Sequence, residues 1–292
     1  MGTDRRGFIQ VAGLAGLGLV IAKPAVDLFS RLNPGVTDGE SDPIDFSASP
    51  PTGGHGEKRL AMAIDIVKCS EEIAKGTECS DTVKQCQRAC HAWHKVPAIP
   101  DREEEVKWIW KDTYGRVFEE HLIDYVDEED EHKKALAVML LCNQCTNPAC
   151  IKYCPTRATW KRPDGIVMID FHRCIGCRYC MAGCPFGSRS FNWRKPRPYV
   201  DGNPESDFPN RTKGVVEKCN FCADILEMDH DGNSKPEHTP KCVEACPAGA
   251  LVFGDLLIEE SEISKLLRSG DAHILRRLPE LGTKPNNYYL MH

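Results

Sequence analysis

The sequence predicts an α+β fold built from small modules held by cysteine, and three observations predict it. Sixteen cysteines fall into four groups: Cys69/79/86/90, Cys142/145/150/154, Cys174/177/180/184 and Cys219/222/242/246. All four groups end in C-x3-C, and in three of them a proline follows, namely Pro155, Pro185 and Pro247. The apolar content of 41% counts those cysteines. Without them it falls to about 36%, lean for 292 residues, so something besides apolar burial must hold the fold together.

Along the chain, residues 1–30 open with Thr3-Asp4-Arg5-Arg6-Gly7-Phe8 and a short Gly-rich apolar run to Ala22. A twin arginine before such a run resembles a Tat export signal. Gly7, Gly13, Gly16 and Gly18 argue against a buried helix there. Lys23-Pro24 interrupts any cleavage site, so the segment is also a candidate anchor. Residues 31–58, rich in Pro, Gly, Ser and Asp, read as a linker arm. Leu60 to Val67 reads as a strand running straight into Cys69, within an outer module made of 59–100 and 214–257.

Residues 101–134 form a charged insertion with Trp108, Trp110 and Tyr114, closed by the acidic run Asp124 to Glu131; helix with a solvated face is the expectation. An inner module spans 135–193. In it Ala158 to Lys161 and Ile166 to Asp170 read as a hairpin around Pro163-Asp164-Gly165. Residues 194–213 are a Pro-rich insertion. Residues 258–292 hold a helix, with Ile258, Ile263, Leu266 and Leu267 at helical spacing, and then a tail. The linker arm, the Pro-rich insertion and the tail from Lys284 to His292 are expected to order against neighbouring subunits.

Several function classes are excluded. The net charge is −6 and no aromatic-interleaved basic stripe runs along the chain, which argues against nucleic acid. No run of about 20 apolar residues exists beyond the N-terminus. No GxGxxG or P-loop appears, and no catalytic site of the chain's own is found. His91, His94 and His121 read as core or solvated histidines, and Trp160 and Trp193 as packing that keeps water away from the central module.

The cysteine spacing points to 4Fe–4S clusters. A tight C-x2-C-x2-C loop wraps three irons, and in two-cluster ferredoxins the fourth thiolate is the last cysteine of the other motif. Cys174-Ile-Gly-Cys177-Arg-Tyr-Cys180-Met-Ala-Gly-Cys184-Pro185 fits this without deviation, with Gly176 where backbone would approach a cluster. The second group widens one loop to x4, and the fourth carries a polar insertion from Asp229 to Lys241. The first, Cys69-x9-Cys79-x6-Cys86-x3-Cys90-His91, is the most stretched. Structural zinc uses C-x2-C pairs but explains neither the x3 spacing nor the prolines. Disulfides suit neither the C-x2-C spacing nor a cargo folded before export. A c-type haem would need C-x-x-C-H, which Cys86-x3-Cys90-His91 misses by one residue.

On these residues the chain resembles the four-cluster iron–sulfur subunits of the DMSO-reductase, polysulfide-reductase and NrfC-like family. The resemblance covers about Leu60 to Ala98 and Leu136 to the C-terminus. It is carried by Leu140-Leu-Cys-Asn-Gln-Cys-Thr-Asn-Pro-Ala-Cys150, Cys154-Pro-Thr-Arg-Ala-Thr159, Asp164-Gly-Ile-Val167, Cys174 to Met181, Lys218-Cys-Asn-Phe-Cys222 and Leu281-Gly-Thr-Lys-Pro285. The twin arginine, the lack of a C-terminal membrane helix and the stretched first motif look most like the DsrO type, the periplasmic iron–sulfur subunit of the DsrMKJOP (Hme) membrane complex. The resemblance implies two interleaved ferredoxin-like modules and four 4Fe–4S clusters with crossed ligation. Cys142, Cys145, Cys150 and Cys184 would hold one inner cluster, and Cys174, Cys177, Cys180 and Cys154 the other. In the outer module Cys69, Cys79 and Cys86 would join Cys246, and Cys219, Cys222 and Cys242 would join Cys90. The departure from the family falls on Cys69 to Cys86, where the family keeps tight loops, and so on the first cluster alone.

The function this implies is a relay of electrons without catalysis of its own. It would run between an NrfD-like integral membrane quinone-interacting subunit and a c-type cytochrome, on the periplasmic side of the cytoplasmic membrane, in sulfur metabolism. The alternative is the electron-transfer subunit of a molybdopterin oxidoreductase such as polysulfide or DMSO reductase. A non-redox structural metal protein is the rival from another class.

Overall fold

Asp65 decides where the first strand ends. The computed structural model describes residues 58–76, 79–80, 84–121, 128–200, 211–225 and 239–292. Strand β1 is Leu60–Asp65, and helix α1, Ile66–Lys75, follows at once. The Asp65 carboxylate accepts the Lys68 amide at 2.9 Å and caps α1, and Gly76 ends it in the left-handed conformation. Cys69 therefore lies on a helix, and the strand expected to reach Val67 stops two residues short of it.

Helix α2, Gln85–His94, carries Cys86 and Cys90. Strand β2, Ile109–Thr113, short helices α3, Tyr114–Val117, and α4, Glu128–Ala135, and strand β3, Ala137–Leu141, come next. The centre of the charged insertion is thus a strand. Ile109 pairs with Leu141 and Thr113 with Ala137, antiparallel. Trp108 and Ile109 are buried, and this pairing outweighs the helical tendency of the charged residues around them. The β2–β3 pairing spans the boundary drawn at 134–135, since β2 lies in the insertion and β3 beyond it.

Short helix α5, Ala149–Lys152, leads to the hairpin of β4, Thr159–Lys161, and β5, Val167–Ile169. Helix α6, Tyr179–Ala182, and the antiparallel pair β6, Ser190–Phe191, and β7, Val216–Glu217, follow. Helix α7 is Lys241–Glu244, β8 Leu251–Asp255, and α8 Glu262–Arg268, capped by Ser261. Ile258 precedes α8 and is exposed, so the helix is shorter than its apolar spacing implied. Strands β9, His273–Leu275, and β10, Asn287–Met291, end the chain.

The tail is not a tail. β10 lies inside a four-stranded sheet of order β8-β1-β10-β9, parallel to β1 and antiparallel to β9. Asn287-Tyr-Tyr-Leu-Met291 is strongly β-prone, and Tyr288, Tyr289 and Leu290 are buried. The His292 ring reaches back to Asp65 at 3.1 Å. The chain's own sheet thus takes the segment expected to order on a neighbour. The export signal, nearly all of the linker arm, residues 201–210 of the Pro-rich insertion and most of the polar insertion lie outside the described residues.

One core joins the sheet to the rest. Met62, Ile64, Phe118, Leu140, Ile166, Phe221 and Tyr289 belong to it together with Cys86, Cys90, Cys219 and Cys242. Tyr289 meets the Phe118 ring edge-on at 5.3 Å. Replacing this fully buried side chain, Tyr289→Ala, is expected to cost about 3–5 kcal/mol. Denaturant unfolding of the loaded protein checks it, with the exposed Ile258→Ala near neutral as the control.

Candidate metal-cluster sites

Each C-x3-C stands on or beside a short helix. Four residues of helix advance about 6 Å and return to the same face, so the two thiols face one way from adjacent turns. On α2 this puts Cys86 towards one set of thiols and Cys90 towards another. Cys150, Cys180 and Cys242 lie on α5, α6 and α7, and Cys154, Cys184 and Cys246 each follow one capping residue beyond these helices.

The thiols meet in four sets. Cys69, Cys79, Cys86 and Cys246 line a cavity of about 340 Å³, counted to its mouth, with Lys84, Met139 and Pro247. Burial pushes the Cys69 thiol up to about 12, helped by Cys246 and Cys79. Cys90 stands with Cys219, Cys222 and Cys242, all four buried. Burial and then those three neighbours raise the Cys90 thiol well above its ordinary value. Cys145 stands with Cys142, Cys150 and Cys184. Burial and Cys142 push it up to about 12 against a hydrogen bond from Thr283 that favours the thiolate. Cys154, Cys174, Cys177 and Cys180 line a second cavity, of about 290 Å³ counted to its mouth. Burial raises Cys154, but the amides of Thr159, Ala158 and Thr156 and the Thr156 hydroxyl outweigh it and lower the thiol.

All sixteen cysteines are free thiols. Among the described residues no three His, Cys, Asp or Glu side chains crowd closely enough for one metal ion. Two of the sets line a cavity, four thiols to each, and four soft donors about a common space fit a 4Fe–4S cube.

Residues 134–199 match the family model of the 4Fe–4S dicluster domain. The chain is 40% identical over 240 residues to the Hdr-like menaquinol oxidoreductase iron–sulfur subunit 1 of Archaeoglobus fulgidus, covering 80% of this chain and 83% of that one. It is 35% identical over 251 residues to the menaquinone reductase iron–sulfur cluster-binding subunit of Nitratidesulfovibrio vulgaris, covering 80% and 88%. It is 38% identical over 144 residues to the B polypeptide of the polysulfide reductase of Wolinella succinogenes, covering 49% and 61%. The chain belongs to this family of iron–sulfur electron-transfer subunits. Its cofactors are 4Fe–4S clusters, and its sixteen cysteines suffice for four.

Around the sets the iron–sulfur subunit buries polar groups that sequence reasoning left without a role. The Gln144 side chain donates to the Cys219 carbonyl at 2.8 Å and accepts from the Val167 amide at 2.8 Å. The Asn286 amide group donates to the Gln144 carbonyl at 2.7 Å. The signature Leu281 to Pro285 runs beside the Cys145 loop, where Lys284 and Thr283 carbonyls accept the Thr146 and Asn147 amides. The buried Lys218 ammonium donates to the Val167 and Cys219 carbonyls. Arg189 lies between the two inner sets. Burial lowers it, and the neighbouring Cys150, Cys180 and Cys142 reverse that and raise it.

His94 is the core histidine that touches a site. Its Nε2 lies 3.1 Å from Cys222 Sγ, and its ring stacks on Trp108 with centroids 4.3 Å apart. Burial holds His94 down at about 4, with Asp224 opposing and Arg211 and His91 assisting. His91 is likewise held near 4 by burial, against an Ile109 backbone hydrogen bond. The His121 side chain lies outside the described residues. Trp160 and Trp193, expected to shield the inner module, are exposed, and Trp108 is the buried indole. Gly176 has φ +70°, and a Cβ there would stand 2.3 Å from the Gly214 carbonyl oxygen, so backbone crowding demands the glycine directly.

Beside His94, Arg211 pairs with Glu217 at 2.9 Å, both buried, and donates to the His94 carbonyl at 2.6 Å. Trp108 Nε1 donates to Glu217 at 2.7 Å. Arg211→Met is expected to cost about 3–5 kcal/mol by stranding a buried carboxylate, and Arg211→Met with Glu217→Gln to recover most of it. The denaturant midpoint of the far-UV signal and of cluster bleaching checks both.

Proposed function

We propose that the chain relays electrons between a membrane quinone-interacting subunit and another redox subunit. The observation that carries the reading is the crossing of the four thiol sets: each holds three cysteines of one group and the last cysteine of another. The ligand assignment is accordingly Cys69, Cys79, Cys86 and Cys246; Cys219, Cys222, Cys242 and Cys90; Cys142, Cys145, Cys150 and Cys184; and Cys174, Cys177, Cys180 and Cys154. Two interleaved ferredoxin-like modules then stand end to end: Cys90 neighbours Cys86, Cys219 neighbours Cys142, and Cys180 neighbours Cys150, so the sets of Cys69 and of Cys174 fall at the two ends of the row rather than outside and inside. When bound, the clusters supply one-electron redox chemistry. The protein's part is to hold thiolates, to exclude water and to place polar groups at sulfur, as His94 stands at Cys222.

The two relatives matched over four-fifths of this chain are named for menaquinol and menaquinone oxidoreductases, which supports a quinone-linked membrane complex. Among the described residues no helix is long and apolar enough to cross a membrane, so an NrfD-like integral subunit would reach the quinone. A c-type cytochrome is the proposed further partner, as in complexes of the DsrO type. Export by Tat from the twin arginine Arg5-Arg6, with the periplasmic side of the cytoplasmic membrane as destination, completes the reading. The match to the polysulfide reductase polypeptide favours a second reading, in which the redox partner is a molybdopterin subunit.

Cys154→Ser should impair the cluster of Cys174, Cys177 and Cys180 and spare that of Cys142, Cys145 and Cys150. Spectroscopy of the reduced protein with an iron count, about 16 per chain unaltered, checks this, and the reverse pattern sinks the assignment. Gentle solubilisation of the native membrane should bring an integral quinone-reactive subunit along with this chain. Elution of the chain alone, fully loaded and exchanging electrons equally with unrelated carriers, would contradict the docked reading.

A further inference from the structure

The chain is acidic as a whole, yet its charge is divided sharply. Residues 142–200 contain ten Lys and Arg against two Asp, a net of +8, while the rest carry 27 against 41, a net of −14. The fold gathers part of this basic segment around one set of thiols. Lys152 and Arg157 flank Cys154, Arg173 precedes Cys174 and Arg178 follows Cys177, and all four are exposed. Asp170, the nearest carboxylate in the segment, is paired with Arg173 at 3.4 Å.

Inside this basic rim the surface is apolar. Ile175 is 67% exposed, Tyr179 63%, Tyr153 55% and Trp193 41%. These side chains adjoin the same structural features. Ile175 and Arg178 border the cavity lined by Cys154, Cys174, Cys177 and Cys180. The Tyr153 ring lies against Gly183, where a Cβ would come within 2.3 Å of it, and so sits beside α6, from which Tyr179 projects. The Arg178 guanidinium stands 4.8 Å over the Trp193 ring. Three of the four thiols here are half-buried, as are all four of Cys142, Cys145, Cys150 and Cys184, whereas the set of Cys90, Cys219, Cys222 and Cys242 is buried throughout, and of the two half-buried sets this one lines a cavity bordered by exposed side chains.

We propose that this face, centred on Cys174 and Cys177, is the docking surface for a redox protein that presents an acidic face. The inference deepens the proposed function and rests on the ligand role of Cys154, Cys174, Cys177 and Cys180. An aromatic and aliphatic centre within a rim of arginine and lysine is the make-up of a protein interface. The opposite charge of the partner steers the encounter and fixes its orientation. Electron exchange falls steeply with distance, which favours a set whose thiols approach the surface. A membrane or a nucleic acid would also meet the positive charge and the aromatic rings, and what favours a redox protein is that the same face borders the cavity lined by Cys154, Cys174, Cys177 and Cys180.

Stopped-flow oxidation of the fully loaded, dithionite-reduced protein tests this, with acidic plastocyanin and basic mitochondrial cytochrome c as probes. Both this chain and plastocyanin are net acidic, so whole-molecule charge predicts a rate that rises with added salt. The local face predicts a plastocyanin rate that falls with salt, and a cytochrome c rate without that fall. The pair Lys152→Glu and Arg173→Glu should lower the low-salt plastocyanin rate about tenfold or more and flatten its salt slope, with cluster spectra unchanged. Should the pair disturb the clusters, the salt slope of the unaltered protein decides alone. A rate that rises with salt, or one indifferent to the double variant, overturns the proposal. So does sedimentation with phosphatidylglycerol vesicles that the variant abolishes while plastocyanin kinetics stay unchanged. Absence of the fourth cluster from the unaltered protein would refute the ligand assignment itself, which iron analysis reads separately from the kinetics.

Discussion

Thiols distant in sequence must share a space, and the rest of the structure answers to that constraint. Cys69 and Cys246 line one cavity, and Cys90 stands with Cys219, Cys222 and Cys242. Closing loops of such length costs conformational entropy that grows only slowly with length, so a bond at the meeting point recovers much of it. This is how a chain with few apolar residues beyond its cysteines holds a single core. It also explains the recurring short helices, since one turn is the simplest way to aim two thiols at two neighbouring spaces.

The cysteine pattern was legible because iron ligation leaves a spacing in sequence. The C-x3-C ending proved to lie on a helix in the first group and across a helix end in the other three, and the strands Thr159–Lys161 and Val167–Ile169 flank their turn residues. What escaped depends on long-range pairing. Ile109–Thr113 sits among charges that suit a helix and becomes a strand only because Ala137–Leu141 lies opposite. Asn287–Met291 looked like an extension and is interior to a sheet, since its parallel partner, Leu60–Asp65, lies more than 200 residues earlier. Asp65 ends β1 through a side-chain cap, a signal that was present in the sequence and outweighed by the apolar run through Val67.

The buried charges form the second layer of the design. Arg211, Glu217, Lys218 and Arg189 are each nearly excluded from water. No periodicity announces them, because each is a single polar residue whose partners come from other elements. Arg211 and Glu217 satisfy one another and hold the ring of His94 between Trp108 and Cys222. Lys218 joins the Val167 and Cys219 carbonyls, and so fixes the inner hairpin to the loop of an outer set. Such groups are expensive to bury singly and tolerable in company, which ties the geometry of one set to that of the next.

The parallel pairing of β1 with β10 has a consequence for the order in which the protein can be made. As the chain leaves the ribosome, β1 emerges early and finds neither its parallel partner nor β8 until nearly all the polypeptide has followed. The thiol sets containing Cys69 and Cys90 wait in the same way for residues beyond 218. The inner thiols, all within Cys142 to Cys184, can assemble while the rest is still being translated. Assembly therefore proceeds outward from the middle, and β1 stays unpaired and in need of protection until the last strand slides in beside it.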